Sequence, residues 1–181
     1  MNKPSILVAR AIFPEVLDKL AHHFTVEANA DDRDWAPPEL TQRLQGKAGA
    51  LTTGGQRIDA GLLAACPQLR IVANMAVGYN NFDLDAMTAA GVQGTNTPDV
   101  LTETTADFGF ALLMATARRI TESEHFLRAG RWTQWRYDMF AGAEVHGSRL
   151  GIIGMGRIGQ GIARRGAHGF GMEVVYHNRS R

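Results

Sequence analysis

Short apolar runs alternate with amphipathic segments along the first half of the chain. Five runs, SILVA, TVEA, AGALTT, LRIVANMAV and VQGTN, have the length and the β-branched residues that are typical of strands. The segments between them repeat apolar residues at helical spacing, as in the stripe Leu17, Leu20, Ala21 and Phe24. Strands that alternate with helices predict a parallel α/β sheet. The predicted order is strand 5–9, a helix after Pro14, strand 25–28, helix 37–44, strand 48–53, helix 59–66, strand 69–77, helix 83–91 and strand 92–96.

The segment TNTPDV, residues 95–100, marks a domain boundary because proline disfavours helix in the residue before it. We therefore predict a first domain over 1–99 and a second over 100–181. The second begins with one long helix from Leu101 to about Ala129, with Thr104 and Asp107 placed to cap it. Its apolar face consists of Phe108, Ala111, Leu112 and Ala115. An ordered loop over 130–148, strand 149–156, helix 157–171 and strand 173–178 follow.

Composition and charge narrow the function classes. The chain has 19 basic and 18 acidic residues and a formal charge of +1, so no polybasic surface indicates nucleic acid or an anionic membrane as a partner. No apolar run reaches the roughly 18 residues of a membrane span, and the start MNKPSILVAR has too short an apolar stretch for a signal peptide. The single cysteine, Cys66, excludes an internal disulfide, and no spacing of His, Cys or carboxylates indicates a metal site. We expect a soluble, cytoplasmic protein with a small-molecule partner.

Gly154, Gly156 and Gly159 form the pattern G-x-G-x-x-G directly after a predicted strand and at the start of a predicted helix. In dinucleotide sites, the first glycine permits a tight turn, the second lets the backbone approach a pyrophosphate, and the third lets the helix pack close to the strand. The helix N-terminus adds N–H groups and a partial positive charge. The alternative is a glycine-rich turn without a ligand. We predict a dinucleotide site.

The end of the following strand indicates which dinucleotide is bound. NAD-preferring sites place an Asp or Glu about 20 residues after the glycines, but here that stretch is HNRSR. Arg179 and Arg181 offer guanidinium groups to a 2′-phosphate, with Asn178 and Ser180 as further hydrogen-bond partners. This favours NADP(H), while NAD(H) stays open. The alternative is that the two arginines are merely solvated.

Five motifs resemble those of the D-isomer-specific 2-hydroxyacid dehydrogenases, in particular the glyoxylate/hydroxypyruvate and 2-ketogluconate reductase branch. They are NMAVGYNNFDLDAMTAAGV, NTPDVLTETTAD, ATARRI, RAGRWTQW and LGIIGMGRIGQGIARR. The resemblance implies a flavodoxin-like substrate domain followed by the first half of a Rossmann doubly wound parallel sheet. It also implies reduction of a 2-keto acid, such as glyoxylate, hydroxypyruvate or 2-ketogluconate, to the D-2-hydroxy acid.

The resemblance assigns binding roles to residues of this chain. The backbone amides of Val77 and Gly78 match the loop that holds the substrate carboxylate, although on the residues alone this is an ordinary turn after a strand. Thr105 matches a position that lines the nicotinamide pocket, and its alternative is merely the first turn of a helix. Arg157 and Ile158 match residues that touch the pyrophosphate.

Trp132 and Trp135 match tryptophans of the family's dimerisation loop, which implies a homodimer, and core packing is the competing explanation. The family's catalytic Arg, Glu and His match positions after Arg181, so we expect no catalytic residue in this chain. The six histidines, which match none of the catalytic positions, are His22, His23, His125, His146, His168 and His177. The resemblance thus implies the N-terminal part of a reductase about twice as long, inactive by itself.

Two further hypotheses stay open. One is a dinucleotide-sensing or corepressor-like module without catalysis, and a set of Arg, Glu and His after Arg181 would discriminate against it. The other is a catalytically inactive paralogue that assembles with intact subunits through residues 101–148. The residues do not distinguish between the 2-keto acids.

Overall fold

A computed structural model describes residues 3–179, which form two compact units, one up to Pro98 and the other from Asp99. Parallel strands and helices alternate in both units, which confirms the predicted α/β class. The roles predicted for the two segments, a substrate domain over 1–99 and the start of a Rossmann domain over 100–181, stay predictions. No helix within residues 3–179 has the length and apolar character that crossing a bilayer requires.

The first unit is a parallel sheet with a helix in each connection between consecutive strands. Its elements are β1 (Ser5–Val8), α1 (Pro14–His23), β2 (Thr25–Ala28), α2 (Pro37–Leu44), β3 (Gly49–Thr52), α3 (Ala60–Ala65), β4 (Ile71–Asn74), α4 (Leu84–Ala89) and β5 (Gln93–Thr95). The strand order is β2-β1-β3-β4-β5. All the strands and helices predicted for this segment form, and β2 and α2 have the predicted bounds.

The middle strands share one core with the helices and loops that cover them. Leu7 on β1 and Val72 on β4 have no exposed surface, and they pack in one cluster with Leu44 and Ile58, which are equally buried. Removing such side chains from water stabilises a fold by about 1.5–3 kcal/mol each. Cys66 belongs to the same cluster, and burial raises the pKa of its thiol.

The outer helix α1 contributes less to the core than its pattern predicts. Leu17, Leu20 and Phe24 are half-buried and Ala21 is exposed. α1 packs against β2, the edge strand, which has a neighbour in the described sheet on one side only. The predicted inward stripe is therefore only partly covered.

Two aspartates place the loops that follow the central strands. Asp59 and Asp83 are the N-cap residues of α3 and α4, and each carboxylate accepts a hydrogen bond of 3.0 Å from the N–H three residues on. The loops before the caps, residues 53–58 and 75–82, are joined by a parallel β-bridge between Ile58 and Phe82. Both loops lie at the carboxyl edge of the parallel sheet, where ligands of α/β proteins usually bind.

The second unit contains a two-stranded parallel sheet and three α-helices within the described residues. The elements are α5 (Thr102–Ala117), α6 (Ile120–Arg128), β6 (Arg149–Ile153), α7 (Arg157–Arg164) and β7 (Glu173–His177), with a π-helical turn over Arg165–Gly169. A loop over residues 129–148 follows α6, and the sequence predicts it over 130–148. The predicted helix after β6 forms, but its last part is the π-helical turn.

The prediction of one long helix from Leu101 to Ala129 is wrong, because the helix is interrupted between α5 and α6. Arg119 adopts the left-handed conformation, with φ of 54°, which an α-helix cannot continue. Its guanidinium donates hydrogen bonds of 2.7 and 2.8 Å to Glu122 and lies over the ring of Phe140. These contacts hold Arg119 in a conformation that costs a non-glycine residue about 1–2 kcal/mol.

The predicted caps of this helix are also wrong. α5 follows Leu101, and none of the described side chains caps it there. Asp107 instead accepts a hydrogen bond of 2.7 Å from Nε of Arg165, just past the end of α7. Thr104 is exposed within the first turn. The carboxylate of Asp107 therefore links two helices and does not begin one.

The buried face of α5 differs from the predicted stripe. Phe108 and Leu112 are 65% and 52% exposed, whereas Ala106 and Phe110 are buried. The cause is the close approach of α7, since a Cβ added at Gly161 would lie 2.8 Å from the side chain of Ala106. Only small residues allow two helices to come this close.

We predict that Gly161→Ala lowers the free energy of unfolding by about 1–3 kcal/mol, because the added methyl group overlaps Ala106. Urea denaturation followed by circular dichroism measures the change. Gly169→Ala is the matched control, since a Cβ there meets no described atom within 4 Å. Equal losses in the two variants would contradict the proposed packing constraint.

Candidate functional site

The loop between β4 and α4 has an ordered backbone at the carboxyl edge of the first sheet. Three successive carbonyl groups of this loop accept hydrogen bonds from within the unit. The oxygen of Ala76 accepts from the N–H of Thr97 (2.9 Å), that of Val77 from Nδ2 of Asn96 (2.8 Å), and that of Gly78 from Nδ2 of Asn74 (3.0 Å). Hydrogen bonds to its carbonyl groups therefore hold this loop in place.

The donors of the same peptide groups face the other way. In a trans peptide, C=O and N–H are antiparallel, and the described residues have no cis bond. The N–H groups of Val77, Gly78 and Tyr79 thus point away from the groups that hold the carbonyls. None of the three has a hydrogen-bond partner among residues 3–179. Successive free N–H groups of this kind form an anion site.

Space for a ligand exists at this loop. A Cβ added at Gly78 would meet no described atom within 4 Å. At the same edge of the sheet, a cavity of about 360 Å³ is lined by apolar side chains that include Phe13, Leu51 and Met75. The arrangement can bind a small anion through the backbone, with apolar surface close to it.

The sequence predicts Val77 and Gly78 as donors of this loop but does not indicate the residues that orient them. Asn74 ends β4, and Asn96 directly follows β5. Both positions are at the carboxyl ends of neighbouring parallel strands, which could have indicated that their amides meet the same loop. The N–H of Tyr79 is a third donor that the sequence did not indicate.

The glycine-rich loop lies between β6 and α7 in the second unit. Gly154 has φ of 99°, a conformation that side chains rarely adopt. At Gly159, a Cβ would lie 2.2 Å from the carbonyl oxygen of Gly154, so helix and turn are in direct contact. At Gly156, a Cβ would meet no described atom within 4 Å. The fold thus explains two of the glycines, and the open space beside Gly156 suits a ligand that approaches the backbone.

The start of α7 is available to an anion. Gly156 is its N-cap, and within the described part of the chain no side chain bonds to the first-turn N–H groups. These groups, together with the helix dipole, fit a pyrophosphate. The residues present therefore match what a dinucleotide needs at this point.

The other predicted cofactor residues have distinct environments. Nε of Arg157 lies 2.7 Å from a carboxylate oxygen of Asp99, so its guanidinium is ion-paired at the entrance of the helix. Ile158 is half-buried. Thr105 is half-buried in the first turn of α5, where its N–H donates to the carbonyl of Leu101. Its helical role is therefore real, and a role toward nicotinamide stays a prediction.

The residues that follow β7 are only partly described. The N–H of Gly154 donates to the carbonyl of His177, which fixes the ends of β6 and β7 side by side. Asn178 and Arg179 come next and are both exposed. Ser180 and Arg181, the other two residues predicted to face a 2′-phosphate, lie outside the described residues.

The two tryptophans of the 129–148 loop are on the surface of this chain. Trp132 is 51% exposed and Trp135 is 76% exposed, so core packing does not explain them. Trp132 borders an apolar cavity of about 600 Å³ that Ile120, Leu127 and Phe140 also line. An aromatic and aliphatic surface of this kind is typical of a contact between proteins.

The chain is similar to known proteins over nearly its whole length. The sequence profile described as "D-isomer specific 2-hydroxyacid dehydrogenase, catalytic domain" matches residues 6–169. The glyoxylate reductase of Thermococcus kodakarensis is 44% identical over 183 aligned positions, which cover 99% of this chain and 55% of that protein.

Solved structures agree with this similarity. A protein from Thermus thermophilus is 39% identical with a TM-score of 0.88, over 98% of this chain and 57% of the other. An NADPH-dependent glyoxylate/hydroxypyruvate reductase from Sinorhizobium meliloti, in complex with NADP and malonate, is 36% identical with a TM-score of 0.80, over 99% of this chain and 55% of the other. The chain spans about half the length of these relatives.

We predict different outcomes for the two glycines of the loop. Gly156→Ala should weaken NADPH binding about tenfold or more and leave the unfolding midpoint unchanged, because its methyl group enters only the space for the pyrophosphate. Gly159→Ala should lower both the affinity for NADPH and the unfolding midpoint, because its methyl group collides with the carbonyl of Gly154. Fluorescence titration and thermal unfolding measure the two effects. A Gly156→Ala variant with normal NADPH affinity would contradict the assignment.

Proposed function

Because the chain belongs to the D-isomer specific 2-hydroxyacid dehydrogenase family, we propose that the protein reduces a 2-keto acid to the D-2-hydroxy acid with NAD(P)H. The observation that supports this most directly is the row of outward N–H groups at Val77 and Gly78. A 2-keto acid has a carboxylate beside the carbonyl that is reduced. Backbone donors that bind the carboxylate would hold that carbonyl in a fixed place.

The substrate site in this proposal is formed by main-chain groups. The carboxylate of the keto acid accepts hydrogen bonds from the N–H groups of Val77 and Gly78, with that of Tyr79 as a further donor. Charge-assisted bonds of this type are about twice as strong as neutral ones. The hydrogen bonds to the carbonyls of residues 76–78 fix these N–H groups in place before the substrate binds. Less conformational entropy is therefore lost on binding.

The cofactor site in this proposal is the start of α7. Gly154, Gly156, Arg157, Ile158 and Gly159 would surround the pyrophosphate, and Thr105 would line the nicotinamide pocket. When bound, the dinucleotide supplies the hydride. The ion pair with Asp99 keeps the guanidinium of Arg157 at the entrance of the helix.

We assign a preference for NADP(H) over NAD(H) to the end of β7. Asn178 directly follows the strand and Arg179 comes next, and both are exposed. Ser180 and Arg181 complete the set. A guanidinium group pairs with a 2′-phosphate, whereas no carboxylate stands in this stretch to bind the ribose hydroxyls of NAD.

The proton donor is assigned to a histidine after Arg181, together with an Arg that clamps the carboxylate and a Glu that pairs with the histidine. In the described part of the first unit, the two histidines are His22 and His23, both on α1. Neither is at the carboxyl edge that holds the anion site. The chain spans about half the length of the relatives it matches, and we assign no catalytic residue within it.

Glyoxylate is the substrate that the first unit favours. The cavity beside the anion loop is lined by Phe13, Leu51 and Met75, which offer no hydrogen bonds to the hydroxyl groups of a sugar acid. Glyoxylate has no side chain that needs such bonds. Hydroxypyruvate follows in the expected order, and 2-ketogluconate comes last.

The homodimer is assigned to the loop with the tryptophans. Trp132 and Trp135 are exposed together with neighbouring apolar residues of α6, and a second copy would remove this surface from water. The small-molecule keto acid and the dinucleotide are the other expected partners.

The test of this function is NAD(P)H oxidation by the full-length protein, followed at 340 nm with glyoxylate, hydroxypyruvate and 2-ketogluconate. We expect turnover, with glyoxylate used best. Tight NADPH binding without turnover of any of the three acids would overturn the proposal and favour a dinucleotide-binding module without catalysis.

We predict that Arg179→Gln raises KM for NADPH about 10- to 100-fold and leaves KM for NADH unchanged, because one charge-assisted bond to the 2′-phosphate is lost. Arg149→Gln is the matched control, since Arg149 is an exposed arginine at the opposite end of the same two strands. Steady-state kinetics with both dinucleotides measure the change. A parallel rise for NADH would show that Arg179 does not read the phosphate.

We also predict that the 181-residue chain binds NADPH but does not oxidise it with any 2-keto acid, because the proposed proton donor is not among its residues. Absorbance at 340 nm, with protein whose intact mass has been verified, tests this. Turnover by this chain would place a proton donor within it and make the assignment of the catalytic residues wrong.

A further inference from the structure

We propose that Asn74 is a positioning residue of the carboxylate site, and that its side-chain amide sets the direction of the Gly78–Tyr79 peptide and so the affinity for the keto acid. The inference rests on the proposed function, and it adds a residue that acts through the loop and not by touching the substrate. Asn74 is the last residue of β4 and is 2% exposed.

All the polar atoms of the Asn74 side chain are engaged. Its Nδ2 donates to the carbonyl of Gly78 at 3.0 Å and to Oδ1 of Asn81 at 3.2 Å. Its Oδ1 accepts from Oγ1 of Thr52 at 3.1 Å and from Nδ2 of Asn81 at 3.4 Å. The carbonyl of Gly78 fixes which end of the amide faces the loop, because a carbonyl only accepts and only the nitrogen end of Asn74 can donate to it. The hydroxyl of Thr52 then holds the oxygen end of the amide.

Asn81 extends this contact to the neighbouring loop. Its Nδ2 also donates to the carbonyls of Gln56 at 2.8 Å and Thr53 at 3.3 Å. Gln56 is 6% exposed, and its Oε1 accepts from both the N–H and the hydroxyl of Thr53. The loops after β3 and β4 are therefore joined in one buried polar network, and within residues 3–179 no buried side-chain polar atom lacks a partner.

Thr52, Asn74 and Gln56 of this network are buried and Asn81 is half-buried. The network favours one arrangement of the loop, because a rotated Gly78–Tyr79 peptide would take its carbonyl away from Nδ2 of the buried Asn74. The Gly78 carbonyl faces Asn74, so the N–H of Tyr79 faces outward. Without a donor at position 74, that peptide loses the contact that selects its direction. The row of three N–H groups then loses its order at Gly78.

Asn29 is a natural comparison within the same sheet. It follows β2, is 4% exposed, and its Nδ2 donates to the carbonyls of Ala9 at 3.0 Å and Arg33 at 2.7 Å. Both asparagines are thus buried at the carboxyl end of a strand and donate two hydrogen bonds. Asn29 holds a different loop, at the other side of the sheet. If substitution of a buried asparagine acted only by lowering stability, changes at Asn29 and Asn74 would therefore alter KM for the keto acid to a similar extent.

The experiment compares Asn74→Asp with Asn29→Asp in the full-length protein. Each change keeps the shape of the side chain, removes two donated hydrogen bonds and adds a carboxylate. Because a carboxylate at position 74 would also repel the substrate carboxylate, the variants Thr52→Val and Thr52→Ser, which add no charge, separate this effect from the lost contact. We expect Asn74→Asp to raise KM for glyoxylate about tenfold or more, with kcat and KM for NADPH within about twofold of the wild type, as for an interaction that binds substrate and transition state equally. We expect Asn29→Asp to leave KM for glyoxylate within about twofold, even where both variants unfold at the same lower temperature.

Thr52→Val and Thr52→Ser provide the second test if Asn74→Asp does not fold. Thr52→Val keeps the shape of the side chain and removes the hydrogen bond to Oδ1 of Asn74, so KM for glyoxylate should rise. Thr52→Ser keeps the hydroxyl, so KM for glyoxylate should stay near the wild-type value. An unchanged KM in Asn74→Asp and Thr52→Val, or an equal rise in Asn29→Asp, overturns the role of Asn74. A wild-type protein without keto-acid reduction overturns the proposed function itself, and this inference with it.

Discussion

A trans peptide that turns its carbonyl oxygen inward must turn its N–H outward, and the candidate substrate site depends on this constraint. At the carboxyl edge of a parallel sheet, the chain leaves the strand ladder and its backbone groups need new partners. At the three peptide groups from Ala76 to Tyr79, the unit supplies partners for the carbonyls only, through Asn74, Asn96 and Thr97. The donors remain for a ligand, so the chemistry of the loop is a direct result of how its acceptors are satisfied.

The sequence predicted the first unit well because its strands and helices are separated by clear changes of periodicity. It failed where a single residue overrides a pattern, as at Arg119, whose left-handed conformation interrupts a continuous helical pattern. Arginine in that conformation has no signature in the sequence, since its partners Glu122 and Phe140 act only after the chain has folded. The face of α5 was mispredicted for a related reason. Gly161 lets α7 approach α5 so closely that only a small side chain, that of Ala106, fits at the contact, and the larger apolar residues lie elsewhere.

The candidate site was predicted in part. The glycine motif was evident in the sequence, but each glycine is present for a different physical reason. Position 154 has a positive φ that favours glycine, and position 159 is too close to the carbonyl of Gly154 for a side chain. Neither reason applies to Gly156 within the described residues. Asn74 and Asn96 were missed because an asparagine after a strand is usually a turn residue. Only the folded sheet brings their amides to two neighbouring carbonyls of one loop, those of Gly78 and Val77.

Recognition by main-chain groups separates two properties that many binding sites combine. The side chains of Ala76, Val77 and Tyr79 take no part in the hydrogen bonds that order the loop, whereas the asparagines beneath it do. Side chains at the outer positions can therefore change without removing the hydrogen bonds that order the loop. If the loop binds the substrate carboxylate as proposed, variation at these positions alters which keto acid fits while the backbone donors still bind the negative charge, so a new specificity can arise through variants that all bind an anion.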